Sequence, residues 1–303
     1  MEESDYYTRQ SPTSDPGTWL RLFARLPHSV AELCAVVHGV VTHRDSVAQL
    51  YGFDPAGPRK LEADTRFVEK ILGKISELDD APLLEERIPE KRFLGSCRDF
   101  AILLCAMLRH QGVPARLRCG FGAYWAPGVF TDHWACEYWN RGEQWMLADA
   151  EIGAPERRRY GISFDHINVP RDQFLVAGKA WKMCREEGRD PDLFGVHHIG
   201  VQGLWFVRAN LLRDLASLNK LELLPWDYTR FFNKSFESLN DHSHDEIHPD
   251  EVRLLDRLAG LTSGDAVPFG DVIALYDGHA DLQVGPLVKS YTIAGPKMIT
   301  LGG

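Results

Sequence analysis

Three residues in one stretch of the chain have types and spacing suited to nucleophilic catalysis by a thiol: Cys97, His133 and Asp149. Cys97 follows Ser96, a residue type that caps helices, so its thiol falls in the first turn of a predicted helix. Free backbone N–H groups and the helix dipole at that position favour the thiolate, the reactive form. A neutral histidine can accept the thiol proton and later return it to a leaving group. His133 opens a predicted strand after a loop. Asp149 ends the strand expected to pair with it, where a carboxylate could hold the far imidazole nitrogen and fix its tautomer. The plainer alternative is that a cysteine at a helix start is a small buried residue.

The elements that must position these groups can be read from the pattern on either side. The helix from Ser96 has Ala101, Leu104, Cys105 and Leu108 on one side, with Met107 widening it, and Asp99 as an acid in its first turn. Gly112 and Pro114 stop it. The period then changes to two: Ala115, Leu117, Cys119 and Phe121 alternate with Arg116, Arg118 and Gly120, which predicts a strand. A loop over 122–129 contains Tyr124 and Trp125. Strands are predicted at about 133–139 and 144–148, joined by a short turn through Asn140-Arg141-Gly142, so they should form a hairpin.

Upstream, residues 1–17 are polar, contain Pro12, Pro16 and Gly17, and read as a flexible tail. Ser29 and Glu32 make a capping box for a helix carrying Val30, Leu33, Cys34, Val37 and Val41. A second helix is predicted over 63–78 with Phe67, Ile71, Leu72 and Ile75 facing inward. Downstream, 164–169 reads as a strand, and helices are predicted at about 172–185, 204–218, 249–258 and 271–276. The resulting division is a tail over 1–17, a core over 18–170 and a mostly helical extension over 171–303, expected to pack on that core. An aromatic segment at Tyr228, Phe231, Phe232 and Phe236 and a polar one over 240–248 lie inside the extension.

The 303 residues carry a net charge of -9, which gives no global attraction for nucleic acid or an anionic membrane. Arg157, Arg158 and Arg159 form the only short basic run. The six cysteines show no paired zinc spacing. His242, His244, Asp245 and His248 could offer metal ligands, but their polar setting reads as a solvated loop, as does that of His197-His198. Asp277, Gly278 and Asp281 do not match a calcium loop. No metal and no cofactor are therefore expected. The start of the chain lacks the basic and apolar regions of a signal peptide, and no apolar run is long enough to span a bilayer. A cytoplasmic protein with reduced thiols is expected.

Together, Gly95-Ser96-Cys97-Arg98-Asp99-Phe100-Ala101, the passage from Arg109 to Arg116, His133-Trp134-Ala135-Cys136-Glu137-Tyr138 and Gln144 to Asp149 resemble the transglutaminase-like superfamily of papain-like cysteine enzymes, in a bacterial-type form. The motifs cover about 55 residues directly. The resemblance implies an α+β fold: a papain-like core with an antiparallel sheet and the nucleophile helix, to which the helical C-terminal extension is added. It also implies thiolate attack on a carboxamide or peptide carbonyl and a thioester on Cys97. Water would complete hydrolysis, the preferred outcome, because it needs no second pocket. An amine acceptor would give a new amide bond. A catalytically silent binding or assembly protein on the same fold is the different-class alternative.

The Cys97 backbone N–H is the first candidate for an oxyanion donor, and Arg92, in the preceding connector, is the second. Tyr124, Trp125 and Trp134 are candidates for a substrate groove, although Trp134, like Trp145, also fits simple packing around the strands. The expected partner is an amide- or peptide-containing substrate. Oligomeric state is left open by the sequence.

Overall fold

The computed structural model describes residues 2–55, 57–140, 144–228 and 249–301. The chain divides into two compact units, Met1–Leu117 with Trp134–Pro170, and Arg118–His133 with Arg171–Gly303. Residues 118–133 fall in the second unit because strands β3 (Ala115–Gly122) and β4 (Phe130–Trp139) each run through a unit boundary.

The first unit contains α1 (Glu3–Thr8), α2 (Val30–Val40), β1 (Val41–His43), α3 (Val47–Tyr51), α4 (Val68–Leu78), β2 (Phe93–Gly95) and α5 (Cys97–His110). The start of β3 (Ala115–Gly122), most of β4 (Phe130–Trp139), β5 (Trp145–Ala148) and α6 (Ala154–Tyr160) complete it. Helices α1, α2 and α4 pack on α5. Every residue of α5 from Cys97 to Arg109 is buried, so this is a central helix rather than a surface amphipathic one. β1 and β2 form a parallel pair, with Val41 opposite Phe93, that brings the start of α5 alongside the end of α2. β4 and β5 form the expected antiparallel hairpin, with Cys136 opposite Ala148.

The second unit adds β6 (Phe174–Val176), α7 (Ala177–Arg185), β7 (Phe194–Val196), β8 (Val201–Gln202), α8 (Leu204–Leu218), β9 (Asp227–Tyr228), α9 (Pro249–Thr262), α10 (Phe269–Gly278), β10 (Leu287–Thr292) and β11 (Gly295–Thr300). Through residues 118–122 of β3 and 130–133 of β4, its sheet has the order β6-β3-β4-β7-β8. β3 and β6 are antiparallel and so closely set that a Cβ on Gly120 would lie 2.1 Å from the Leu175 carbonyl oxygen. β10 pairs antiparallel with β9 and β11. Helices α7, α9 and α10 pack on α8, and Leu211, Leu215 and Leu218 of α8 are fully buried among them. Burial of each such leucine stabilises the unit by about 1.5–3 kcal/mol before entropic costs.

The mixed α+β architecture is the one expected, with several local corrections. The sheet is not purely antiparallel, since β4 and β7 pair in parallel. The predicted helix over 63–78 begins only at Val68, after a 3-10 turn over Gly57–Asp64. The segment 164–169 makes turns rather than a strand. Its backbone bonds at the end of β5 run from Val169 N–H to Leu147 O at 2.9 Å and from Asp149 N–H to His166 O at 2.8 Å, without strand geometry. The region 172–185 starts as β6 before turning helical, because Phe174-Leu175-Val176 completes a sheet edge on β3. The extension is therefore less helical than expected, and it closes in the β10–β11 hairpin. Phe231, Phe232, Phe236, the stretch 240–248 with its four candidate metal ligands, and Arg141-Gly142 lie outside the described residues. Among the described residues no helix is long and apolar enough to cross a membrane.

The expected flexible tail is the clearest correction. Tyr7 of α1 is only 1% exposed and meets the Trp145 ring edge-on at 5.6 Å. Glu3 accepts a 2.8 Å bond from Arg116 Nη1, and Gln10 Nε2 donates to Ala106 O at 2.8 Å. A buried arginine needs carboxylate partners, and Glu3 supplies one of them. Tyr7→Ala is expected to lower unfolding free energy by about 3 kcal/mol in urea titration; a value near zero would restore the loose-tail description.

Candidate active site

Cys97 is the first residue of α5 and retains 6% exposure. The turn before it is fixed reciprocally. Ser96 N–H donates to Asp99 Oδ2 at 2.8 Å, and the Ser96 hydroxyl reaches the same oxygen at 3.2 Å. Arg98 Nη1 donates to the other oxygen, Oδ1, at 3.2 Å. Burial raises the Asp99 pKa, and Arg98 and the Ser96 bonds oppose that rise. Gly95 sits in a tight space: a Cβ there would lie 3.0 Å from the Asp99 side chain and 3.1 Å from Val41. Sequence reading placed the cap and the acid correctly but did not identify Asp99 as the acceptor that closes the turn.

Asp149 directly follows β5 and is buried. Its N–H donates to His166 O at 2.8 Å, and its Oδ1 accepts from Glu151 N–H at 3.0 Å. The surroundings are rich in carboxylates. Glu156 Oε2 accepts from Gly153 N–H and pairs with His38 Nε2, each at 2.9 Å. A Cβ on Gly153 would lie 2.3 Å from that imidazole nitrogen, so only glycine permits the His38 approach. Glu151 is buried and its Oε2 has no hydrogen-bond partner. Burial first, and then the charges of Asp149, Glu156 and Asp45, raise its pKa well above the ordinary carboxylate range. Cys34 is likewise pushed up, by burial and by Asp149 and Asp165.

His133 is the fourth residue of β4 rather than its first, because the strand begins at Phe130. It is 2% exposed and belongs to the second unit. Three rings of that unit meet its imidazole edge-on: Trp125 at 5.1 Å, Tyr124 at 5.7 Å and Phe174 at 6.0 Å. Tyr124 and Trp125 also contact each other, with centroids 4.9 Å apart. A Cβ on Gly122 would lie 2.7 Å from the Trp125 ring, so this glycine lets the loop fold back on β3. Tyr124 and Trp125 thus lie beside His133. Phe174 was missed, since its segment reads as helix; the run Phe-Leu-Val was the available strand signal.

Two expected roles do not hold. Trp134 is 1% exposed, so it is a core residue rather than a groove wall. It follows His133 on the strand and therefore projects from the opposite face. Arg92 is buried, and all three of its nitrogens are engaged away from an oxyanion role. Nε donates to Arg87 O at 2.8 Å, Nη1 to His38 O at 3.1 Å and the Tyr51 hydroxyl at 3.4 Å, and Nη2 to Glu86 Oε1 at 2.7 Å. It clamps the connector before β2. The Cys97 backbone N–H is left as the oxyanion candidate.

The acidic cluster around Asp149 gives a signed prediction. A carboxyl whose folded-state pKa is raised contributes its stability below the unfolded value and loses it as pH rises through the folded value. Glu151→Gln removes that titration. Its melting temperature is expected to match the wild type near pH 4 and to exceed it increasingly above, in thermal scans from pH 4 to 8. Parallel curves would mean that Glu151 is not held protonated.

Residues 74–150 match the family described as Transglutaminase-like superfamily. No curated protein matches the chain. A solved structure of a candidate cysteine protease from Cytophaga hutchinsonii is 18% identical, with a TM-score of 0.35. The likeness covers 58% of this chain and 46% of that one, so the chain spans less than half of its length. Cys97, with its Ser96–Asp99 turn, and Asp149, directly after β5, both lie inside the segment that matches this family.

Proposed function

We propose that the protein is a cysteine-dependent acyl-transfer enzyme acting on an amide or peptide bond, with hydrolysis as its outcome. The observation that carries this reading is Cys97 at the first position of a buried helix, behind a reciprocally bonded turn, within the transglutaminase-like segment. The family match supports cysteine-based catalysis in general. The helix N-terminus stabilises a thiolate, and the backbone N–H there is an oxyanion donor.

In this mechanism His133 takes the proton from the Cys97 thiol as sulfur adds to the carbonyl carbon. The tetrahedral oxyanion collapses, the C–N bond breaks, and the His133 proton passes to the departing ammonia or amine. Water then adds to the thioester with His133 as base, releasing the carboxylic acid and returning the thiol. Asp149 holds the imidazole tautomer. An amine in place of water would yield a new amide, the amide-forming variant of the same chemistry. Tyr124 and Trp125 beside His133 suit an apolar or aromatic substrate portion. The six free thiols fit a reducing, cytoplasmic setting.

One observation favours a second reading, a catalytically silent binding protein: Cys97 has only 6% of its surface exposed. Labelling with iodoacetamide, a small neutral probe, separates the two when followed by peptide mapping across pH 5–9. An enzyme is expected to label at Cys97 below neutral pH, and His133→Ala is expected to slow both labelling and turnover of amide substrates by about 100-fold or more. Cys97→Ala should abolish turnover. Labelling of Cys97 no faster than an ordinary thiol, unchanged by His133→Ala, would leave the silent reading standing.

A further inference from the structure

We infer that Asn210 of α8 is a positioning residue for His133, acting through Asp132; the inference rests on the reading of His133 as the catalytic base. The second unit buries an unusual polar face. Asn210, Arg213 and Asp214 stand at i, i+3 and i+4 of α8 and so share one side of the helix. All three are buried, as are Arg208 and Ser217 of the same helix.

Each of the three is answered from a strand. Asp214 accepts from Arg118 Nε at 3.0 Å and Nη2 at 2.9 Å, and from Cys119 N–H at 2.9 Å. Asn210 Nδ2 donates to Gly120 O at 3.2 Å and to Asp132 Oδ1 at 2.7 Å. Asn210 Oδ1 accepts from Arg213 Nη1 at 2.8 Å, and Arg213 Nε donates to Asp227 O at 3.2 Å. The Arg213 guanidinium lies 4.7 Å over the Tyr228 ring.

The Asn210 amide has one permitted orientation here. Turned over, its oxygen would face Gly120 O and the Asp132 carboxylate, and its NH2 would face Arg213. A buried amide satisfied on every side therefore fixes three partners at once, β3, β4 and Arg213. On β4 the fixed residue is Asp132, immediately before His133. Successive strand residues point to opposite faces, so the bond on one face sets the backbone from which the imidazole projects on the other, among Trp125, Tyr124 and Phe174. Arg118 and Asp214 hold β3 in the same register from the adjacent residues. The extension thereby has a catalytic purpose beyond covering apolar surface: without α8 the histidine strand lacks its polar anchor.

The charged and titratable groups facing the Asp132 carboxyl are Arg213 of α8, Tyr228 of β9, Cys119 of β3 and His133 on its own strand. Burial raises the Asp132 pKa, against Arg213, Asn210 and His133, which lower it.

The test is the pH profile of Cys97 alkylation by iodoacetamide in the full chain, with thermal melting recorded separately and His133→Ala as the reference. Asn210→Leu removes the tether, and the Cys97 rate at pH 6 is expected to fall by about tenfold or more in still-folded protein, since small misplacements of a catalytic group are costly. The exchange Asp132→Asn with Asn210→Asp keeps one amide and one carboxylate in the pair and should recover to within about threefold of wild type, the coupling expected of directly bonded residues. If Asn210→Leu does not fold, Asn210→Asp alone, of equal size, is expected to slow labelling and the exchange to restore it. A slowed His133→Ala beside an unchanged Asn210 variant would overturn the positioning role and leave the base assignment intact. No effect of His133→Ala on Cys97 would remove the base assignment, and the inference with it.

Discussion

A buried helix start must find acceptors and donors within the protein, because water cannot reach its open backbone groups. In α5 that requirement falls on Asp99. Its carboxylate returns to Ser96 N–H and hydroxyl, and its second oxygen takes Arg98. Gly95 lets Asp99 and Val41 approach closely at this turn, and Gly95 O in turn accepts from Arg44 N–H at 2.9 Å just beyond β1. The position of the Cys97 thiol, the parallel β1–β2 pair and the seating of α2 against α5 all follow from one turn.

Both units solve a related difficulty in β3. Arg116 and Arg118 are fully buried, on what an alternating strand would present as its polar face. In the first unit Arg116 Nε donates to Glu137 at 2.8 Å and its guanidinium lies 3.9 Å over Trp145. In the second, Arg118 meets Asp214 through two nitrogens. Removing one member of such a pair costs about 3–5 kcal/mol, whereas apolar replacement of the whole pair is often neutral. These pairs are thus better understood as setting register and neighbours than as raising total stability.

The parts of the fold that were legible in the sequence are those governed by local rules. The cap at Ser29, the stop at Gly112, the two-residue period of β3 and the extent of α8 all follow from short-range chemistry. What escaped depended on distant partners. Arg116 makes α1 an anchored helix, and nothing near Tyr7 in sequence announces it. Phe174 becomes a strand because β3 offers an edge. Cys97 and Asp149 were singled out from residue type and position, while Asn210 and Glu151 were not, since a buried polar residue has meaning only once its distant neighbours are known. The signal at Asn210 was its spacing, since with Arg213 and Asp214 it stands at i, i+3 and i+4 on one helix face. Arg92 illustrates the converse: a residue in a suggestive stretch whose donors have ordinary structural uses.

The chain leaves the first unit at Leu117, returns at Trp134 and departs again after Pro170. This threading bears on how the gene could be cut or rearranged. A polypeptide ending at residue 170 would seem to contain the whole recognisable core, yet it would carry 118–133 away from its surroundings. Phe121 would lose the ring contacts of Phe194 and Phe206, Phe130 would lose the stacked Phe194 at 4.6 Å, and Arg118 would be left without Asp214. Exposed aromatic strands make a sticky fragment, prone to self-association. A chain without the C-terminal half would therefore need a different sequence between residues 118 and 133.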